Sequence, residues 1–394
     1  MCDDRLSDEQ NLGVNMNSFM HQQDEHLKDV IEDLLAQADI KINGSRPYDI
    51  IVHHPELYNR IIQQGSLGLG ESYMDGWWDC ERLDIFFYKI LRAQLDKKVP
   101  HNLNNLIRIA IAKVRNFQTK KRAWMVGEEH YDLGNDLFSL MLDPYMQYSC
   151  AYWKDAQNLE QAQQDKLALI CRKLELKAGM TVLDIGCGWG GLAEYAAKNY
   201  QVSVTGITIS KEQQKLAQAR CKNLDVKILL QDYRDLHDQF DRVVSIGMFE
   251  HVGPKNYDTY FKVVKRNLKS DGLFLLHSIG ANSTMLNADA WTSKYIFPNG
   301  CLPSIENIAQ HSSGKFVMED WHNFGADYDL TLSAWYARFI EIWPQIEANY
   351  SPRFKRMFSY YLNACAGAFR ARDLQLWQIV FSPEGRDGGV HVAR

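Results

Sequence analysis

The stretch LDIGCGWGG, residues 183–191, joins an apolar run to a helical pattern. The run Thr181–Ile185 has the apolar and β-branched residues of a buried strand, and GLAEYAAKNY, residues 191–200, continues with helical periodicity. Between them stand four glycines: Gly186, Gly188, Gly190 and Gly191. Glycine has no Cβ, so the backbone there can turn tightly and approach a ligand closely. The stretch therefore predicts a nucleotide pocket at the carboxyl end of a strand in an α/β sheet.

The acid just ahead of these glycines narrows the choice of ligand. The spacing is not the GxGxxG of dinucleotide sites, and Asp184 precedes the loop. A carboxylate at this place can pair with a cationic amino-acid group. An adenosine ligand that carries an amino acid therefore fits better than NAD, and S-adenosylmethionine is the leading candidate.

The part of the chain after Leu167 alternates helical and strand patterns, which predicts a mostly parallel sheet with helices on both faces. The predicted strands are Thr181–Ile185, Ser203–Ile207, Lys227–Leu230, Arg242–Ile246 and Leu273–Ser278. Phe316–Phe324 and Leu376–Phe381 follow as a closing pair of strands, with an aromatic-rich helical insertion, Ser333–Arg372, between them. We therefore predict an α/β, Rossmann-like fold for this part.

The beginning of the chain predicts a tail and a smaller, mostly helical N-terminal domain. We expect residues 1–24 to be a disordered tail and residues 25–112 to form the domain. A helix is predicted over residues 25–38, a strand over Tyr48–Val52 and a second helix over Leu83–Leu95. GSLGLGESYMDGWW, residues 65–78, is rich in glycine and is not followed by a clean helix, so we interpret it as a shaped loop rather than a phosphate cradle.

A basic linker is predicted over residues 113–127, before a catalytic domain over residues 128–394. Its first part, Lys113–Arg122, reads KVRNFQTKKR and has five cations and no acid. Two interpretations stay open for this stretch. It can be a solvated surface segment, or a patch that meets anionic lipid headgroups, where each cation contributes about 1 kcal/mol.

Composition and charge exclude several classes of protein. The 394 residues are 46% hydrophobic, which supports a large core, and the net charge of −5 argues against nucleic-acid binding, which needs a broadly basic surface. The polar start MCDDRLSDEQ does not have the pattern of a targeting peptide, and no run approaches the roughly 18 apolar residues that cross a bilayer. Eight scattered cysteines without metal-ligand spacing predict free thiols in a reducing cytosol and no metal site. We therefore expect a cytoplasmic protein.

The ends of the second and third strands supply further candidates for the cofactor pocket. Thr208, Ser210 and Gln213 follow the second strand, where an acid usually meets the ribose hydroxyls. Ser210 can instead be only a helix N-cap. After the third strand, Asp232 can accept from an adenine amine and Tyr233 can cover the ring, although Asp232 can also be a plain turn residue.

Several long motifs resemble the family of cyclopropane-fatty-acyl-phospholipid synthases, within the S-adenosylmethionine-dependent methyltransferase superfamily. The resemblance covers the chain from about Asn43 to its end and implies the methyltransferase version of the Rossmann-like fold. The motifs are GSLGLGESYMDGWW, EHYDLGNDLF, MLDPYMQYSCAYW, LDIGCGWGG, MFEHVGPKNY, KYIFPNGCLPS, NFGADY and YYLNACAGAFRARD.

The resemblance implies methylene transfer from S-adenosylmethionine to the cis double bond of an unsaturated acyl chain in a membrane phospholipid. It implies a carbocation that a bound bicarbonate ion deprotonates, after which the cyclopropane ring closes. The residues that it assigns to the bicarbonate are Cys150, Glu250, His277, Tyr328 and the main chain of Ile279. Without the resemblance, the histidine, the cysteine and the tyrosine could equally be core residues. We interpret the neighbouring His251 as a packing residue rather than a base.

Other residues are assigned weaker roles by the same motifs. Cys365 is a weaker candidate, because the reaction needs no covalent nucleophile. We expect it to line the acyl channel. Tyr148 and Ser149 are expected at the carboxylate end of the cofactor, with the helical pattern Tyr131–Phe138 behind them. The aromatic residues expected to shield the cation and line the acyl pocket, each of which can instead be core, are Tyr295, Phe297, Trp335, Tyr336 and Phe339.

Three functions stay open on the residues alone. The first is cyclopropane synthesis on membrane phospholipids by a homodimer in peripheral contact with the inner face of the membrane. The second is methyl transfer to a small polar acceptor, and the third is lipid-surface binding without catalysis. The aromatic content, the basic linker and the helical insertion favour a lipid substrate, and the intact set of site residues argues against loss of catalysis.

Overall fold

The computed structural model describes residues 25–95, 135–285, 289–390 and 394. They divide into two compact units, Met1–Leu106 with Pro352–Gly367 and Ile107–Ser351 with Ala368–Arg394. The expected tail, the basic linker and the expected boundaries near residues 112 and 128 lie outside the described residues and stay predictions. One difference concerns Pro352–Gly367, which the sequence assigned to a catalytic domain running to residue 394 and which belongs to the first unit.

The first unit is mostly helical, as predicted. A helix over residues 25–36 (α1) precedes the helices α2 (Leu57–Gln64), α3 (Ser66–Met74) and α4 (Leu83–Arg92). The strand expected over Tyr48–Val52 is reduced to β1 (Ile51–Val52), which pairs antiparallel with β2 (Trp78–Asp79).

The prediction of a shaped loop over residues 65–78 is wrong, because Ser66–Met74 is a helix. Glycines favour loops, but they also let two backbones approach each other. A Cβ on Gly68 would lie 2.3 Å from the carbonyl oxygen of Arg60 in α2. The glycine at this position therefore serves helix packing.

The far segment Pro352–Gly367 contacts the first unit through one arginine in particular. The guanidinium of Arg356 donates to the carbonyl oxygen of Trp78 at 2.8 Å and to Asp79 Oδ1 at 2.7 Å. It also lies over the ring of Tyr73, 4.0 Å from the centroid. These contacts explain why a segment late in the sequence belongs to the first unit.

The second unit is built on a seven-stranded sheet. Its first half contains α5 (Asn135–Met141), α6 (Leu159–Lys173), β3 (Thr181–Ile185), α7 (Gly191–Tyr200), β4 (Ser203–Thr208), α8 (Lys211–Arg220) and β5 (Val226–Leu230). Its second half contains β6 (Phe240–Ile246), α9 (Tyr257–Asn267), β7 (Leu268–Ala281), α10 (Ala290–Tyr295), α11 (Ile305–Ser312), β8 (Val317–Asn323), α12 (Ala326–Ile346) and β9 (Leu374–Ser382). The helix α13 (Pro352–Arg370) lies mostly in the first unit, and only its end, from Ala368, belongs to the second.

The strand order is β5-β4-β3-β6-β7-β9-β8. The first five strands in this order are parallel, and β9 is antiparallel to both β7 and β8. The predicted Rossmann-like α/β fold with a closing pair of strands is therefore confirmed. The expected helical insertion is two helices, α12 and α13.

Both faces of the sheet are covered. Successive residues of a strand point to opposite faces, and in β7 the fully buried Phe274 and Leu276 belong to one apolar cluster while Leu273 and Leu275 belong to another. The carboxyl ends of the parallel strands consequently form the edge at which a ligand can enter. None of the helices among the described residues is long and apolar enough to span a membrane.

Candidate functional site

A cavity of about 210 Å³ opens at the carboxyl ends of β3, β4, β5 and β6. Several water molecules, at about 30 Å³ each, would fit in such a volume, so it is too large for a packing defect. The wall includes nine of the eleven residues that the sequence proposed for a cofactor: Tyr148, Ser149, Asp184, Gly186, Gly188, Thr208, Gln213, Asp232 and Tyr233.

The glycine loop forms the floor of this cavity. The backbone at Gly186 has φ +83°, and a Cβ there would lie 2.9 Å from the side chain of Met248. The N–H groups of Gly186 and Cys187 both donate to the carbonyl oxygen of Ile207 in β4, at 3.0 and 2.9 Å. The loop is therefore fixed to the neighbouring strand, and Gly186 has no room for a side chain.

Two residues proposed for the cofactor do not line the cavity. Gly190 is the N-cap of α7, and a Cβ there would lie 2.9 Å from Cβ of Ala217. Ser210 is the N-cap of α8 and accepts a hydrogen bond from the N–H of Gln213 at 3.3 Å. The structure therefore supports the alternative interpretation of Ser210 as a helix N-cap, because its hydroxyl oxygen accepts a hydrogen bond within the first turn of α8.

Asp184 is the acid that the sequence placed beside the glycines. Its side chain is buried, and Oδ2 has no hydrogen-bond partner among the described residues. Burial raises the pKa of Asp184 to about 7, while the nearby charge of Lys166 lowers it. An unpaired carboxylate oxygen next to a glycine cradle fits a ligand that presents an ammonium group.

Asp232 and Tyr233 line the cavity beyond the end of β5. Asp232 Oδ1 accepts from the N–H of Arg234 at 2.9 Å, and Oδ2 lies 3.3 Å from the guanidinium of the same residue. Asp232 therefore stabilises the turn after β5, as its alternative interpretation proposed. It also lines the cavity, so both interpretations are compatible with the structure. The ring of Tyr233 is mostly buried, with Arg234 over it at 4.9 Å.

Sequence reasoning missed part of the wall. His251, interpreted as a packing residue, lines the cavity, as do Gln147 and Asn299. Burial lowers the pKa of His251 to about 4, so the ring is neutral near pH 7. Nothing in the local pattern distinguishes His251 from a packing residue, because the cavity wall forms only when the turn after β6 meets the segment around Asn299.

A second group of side chains lies next to this cavity, on β7 and on the turn after β6. Glu250 stands between Met248 and His251, which both line the cavity. Its Oε1 accepts from the N–H of Ile279 at 2.7 Å, while its buried Oε2 has no partner among the described residues. Burial raises the pKa of Glu250 to about 7. The main-chain N–H of Ile279 is thus bonded to Glu250, and the expected place of Ile279 in the anion site stays a prediction.

His277 lies two residues before Ile279, on the same face of β7. The amide nitrogen of Gln378 can only donate, so Nδ1 of His277 accepts from it at 3.2 Å, and the ring proton is on Nε2. That Nε2 is buried and has no partner among the described residues. Burial lowers the pKa of His277 well below its ordinary value. The ring is therefore a neutral donor.

Cys150 and Tyr328 are brought together by α12. The N–H of Ala151 donates to Oγ1 of Thr331 at 3.1 Å, and the N–H of Trp153 donates to Asp327 at 2.7 Å. These bonds hold the segment of Cys150 against the first turns of the helix that carries Tyr328. Burial raises the pKa of Cys150 well above its ordinary value, so the thiol stays neutral.

The aromatic candidates differ in how deeply they are buried, and none of them is among the residues that line the cavity. Trp335 and Phe339 are fully buried, and the ring of Trp335 lies 5.0 Å from Tyr148 and 6.0 Å from Tyr328. The ring centroids of Phe138 in α5 and Tyr148 are 4.9 Å apart, so this helix packs against Tyr148; residues 131–134 of the predicted pattern lie outside the described residues. Tyr295, Phe297 and Tyr336 are half-buried.

Cys365 stands apart from the other candidates in the division of the chain. It is half-buried on α13 and belongs to the first unit, whereas the other catalytic candidates belong to the second. The seven cysteines among the described residues form no disulfide bonds.

Comparisons with known proteins agree with this geometry. A family model described as mycolic acid cyclopropane synthetase matches residues 118–379. The cyclopropane-fatty-acyl-phospholipid synthase of Escherichia coli (strain K12) is 70% identical over 365 residues, which are 93% of this chain and 95% of that protein.

Solved structures are similar as well. Mycolic acid cyclopropane synthase CmaA1, complexed with SAH and CTAB, has a TM-score of 0.62 at 34% identity, over 66% of this chain and 97% of that one. Coclaurine N-methyltransferase, bound to N-methylheliamine and SAH, has a TM-score of 0.65 at 20% identity, over 80% of this chain and 98% of that one, and supports the fold alone.

Proposed function

The chain belongs to the mycolic acid cyclopropane synthetase family, and on that premise we propose that it transfers a methylene group from S-adenosylmethionine to the cis double bond of an unsaturated acyl chain in a membrane phospholipid. The products are a cyclopropane ring in the acyl chain and S-adenosylhomocysteine. The proton lost on ring closure goes to a bound bicarbonate ion. When bound, S-adenosylmethionine supplies an electrophilic methyl group and bicarbonate supplies the base.

The cofactor end of the proposal depends on the glycine cradle and Asp184. The unpaired Oδ2 of Asp184 would hold the ammonium of the cofactor. Ser149 and Tyr148 would meet its carboxylate, and Thr208 with Gln213 would meet the ribose. Asp232 would accept from the adenine amine, with Tyr233 against the ring. All of these residues line one cavity.

The observation that carries the proposal is the pair of unpaired buried atoms beside this cavity, Oε2 of Glu250 and Nε2 of His277. A neutral histidine with its proton on Nε2 is a donor. Glu250, with a pKa of about 7, donates from Oε2 when it is protonated. Such a pair accepts a small anion without like-charge repulsion. Cys150 and Tyr328 would complete the anion site, and the buried rings around Tyr328 would shield a transient cation.

The proposal is tested with purified protein, phospholipid vesicles that contain cis-monounsaturated chains, and S-adenosylmethionine labelled with ¹³C in the methyl group. We expect lipids that gain one labelled CH₂ and lose the alkene, together with S-adenosylhomocysteine. A methylated small molecule with intact alkenes would indicate the alternative methyltransferase. Absence of S-adenosylhomocysteine would exclude both reactions.

We also propose that the protein is cytoplasmic, acts as a homodimer and contacts the inner face of the membrane peripherally. The support for membrane contact is the cation-rich stretch Lys113–Arg122 together with the lipid substrate. Analytical ultracentrifugation and vesicle flotation test the two parts separately.

A further inference from the structure

The helix α6 has two lysines on its buried face. The side chains of Lys166 and Lys173 are both 0% exposed. They are seven residues apart, which is two helical turns. Lys173 contacts His322 at 3.1 Å and Asp320 at 3.3 Å. Lys166 points elsewhere, to the segment that forms one wall of the cofactor cavity.

The ammonium of Lys166 holds two residues of that wall. Its Nζ donates to Oε1 of Gln147 at 2.6 Å and to Oγ of Ser149 at 2.9 Å. One turn earlier on α6, Nε2 of Gln163 donates to the carbonyl oxygen of Ser149 at 2.9 Å. Both the main chain and the side chain of Ser149 are therefore held from behind by the same helix.

The direction of these hydrogen bonds decides what Ser149 can offer to a ligand. An ammonium group has only donors, so Oγ of Ser149 must accept from Lys166. The hydroxyl proton of Ser149 is then left for a partner on the other side, and Ser149 lines the cavity. A donor at this place suits an acceptor such as a carboxylate.

The charge of Lys166 acts on the same cavity. Burial lowers the pKa of Lys166 to about 8, while the charges of Asp143 and Asp184 raise it. In return, Lys166 lowers the pKa of Asp184, and thus favours the ionised carboxylate. One buried cation therefore acts on both ends of the wall that would meet an amino-acid zwitterion.

We propose that Lys166 is a positioning residue for the amino-acid end of the cofactor. It directs the hydroxyl proton of Ser149 toward the carboxylate of the cofactor. This inference rests on the proposed function, since it assumes a cofactor with an amino-acid end.

The test compares two ligands that differ only in that end. S-adenosylhomocysteine has the amino-acid group, whereas 5′-methylthioadenosine lacks it. For Lys166→Met, isothermal titration calorimetry should give an affinity for S-adenosylhomocysteine that is about tenfold or more lower, the effect of about one hydrogen bond to a charged group. The affinity for 5′-methylthioadenosine should stay within about twofold. A role in folding alone would weaken both ligands equally.

Two further variants keep the test decisive. Lys173→Met removes the other buried cation of α6 and should leave the ratio of the two affinities unchanged. Ser149→Ala leaves Lys166 in place and removes the hydroxyl of Ser149 directly, so it keeps the test possible if Lys166→Met does not fold. It should weaken binding of S-adenosylhomocysteine much more than binding of 5′-methylthioadenosine. Equal losses for both ligands in Ser149→Ala would overturn the inference. If the parent protein itself did not bind S-adenosylhomocysteine, the proposed function would fail first, and this inference with it.

Discussion

The substitution Glu250→Gln should make the protein more stable and inactive. Glu250 is fully buried, and burial raises its pKa from 4.5 to about 7. The amide has nearly the same shape and keeps an oxygen that accepts from the N–H of Ile279, a bond of 2.7 Å in the parent. It has no charge to bury, so it removes the cost of ionising this carboxyl in the folded state.

The size of the effect follows from the pKa. At pH below 4.5 the carboxyl is protonated in both the folded and the unfolded protein, so Glu250 adds no ionisation cost. As the pH rises from 4.5 to about 7, the unfolded chain releases its proton more readily, and the free energy of unfolding falls. The pKa rises from 4.5 to about 7, and each pKa unit is worth about 1.4 kcal/mol. The buried carboxyl therefore lowers the free energy of unfolding by about 3 kcal/mol at pH values above 7.

Differential scanning calorimetry without cofactor, in buffers free of carbon dioxide, measures the effect at pH 5 and pH 8. The melting temperature of Glu250→Gln should exceed that of the parent, and the margin should grow from pH 5 to pH 8. Glu347→Gln, which changes an exposed glutamate, is the matched control and should show no margin. A margin that stays constant or shrinks with pH would refute the uncompensated burial of Glu250.

The activity of the same variant tests its chemical role. Glu250→Gln cannot exchange a proton with the anion, so lipid cyclopropanation should fall by at least about a hundredfold, the lower range for loss of a group that transfers protons. Binding of S-adenosylhomocysteine should be retained, because Glu250 is not among the residues that line the cofactor cavity. A fully active variant would exclude Glu250 from the reaction.

Three other predictions use the same assays. Gly186→Ala places a Cβ 2.9 Å from Met248 at a φ of +83°, which costs about 1–2 kcal/mol of backbone strain. Cofactor affinity should therefore fall at least about tenfold. An affinity equal to the parent's in calorimetry would contradict the role of this glycine in the cofactor site. Cys365→Ser should retain substantial activity, because the reaction needs no covalent nucleophile; near-complete loss with intact circular dichroism would reverse this view. Neutralising Lys120, Lys121 and Arg122, the cations at the end of the basic stretch, should weaken binding to anionic vesicles more at low salt than at high salt. Equal loss of binding at both salt concentrations would exclude an electrostatic role.

The local sequence predicts a structural feature correctly where the residues that cause the feature lie close together in the chain. The strand Thr181–Ile185 and the glycines after it were predictable, because strand propensity and the absence of a Cβ are properties of those residues themselves. The position of Asp184 beside the loop followed from the same short stretch. Alternation of strands and helices likewise indicated the parallel sheet.

Local sequence failed where a residue's role depends on a distant partner. The glycines of residues 65–78 suggested a loop, but Gly68 lies in the helix Ser66–Met74, where its lack of a Cβ allows the close approach to Arg60. His251 resembled a packing residue until the cavity wall closed around it. The burial of Lys166 has one local signal, its position among the apolar residues of α6.

The alternation of strands and helices, the glycine cradle after β3 and the acid beside it were predictable from the chain alone, because each is a property of residues that lie close together in it. The fold was needed to bring the ammonium of Lys166 behind Ser149, to pair the N–H of Ile279 with Glu250 and to join Pro352–Gly367 to the first unit. The reason is physical: hydrogen-bond direction, burial and the pKa shifts that follow arise between residues far apart in sequence, and they exist only once the chain has folded.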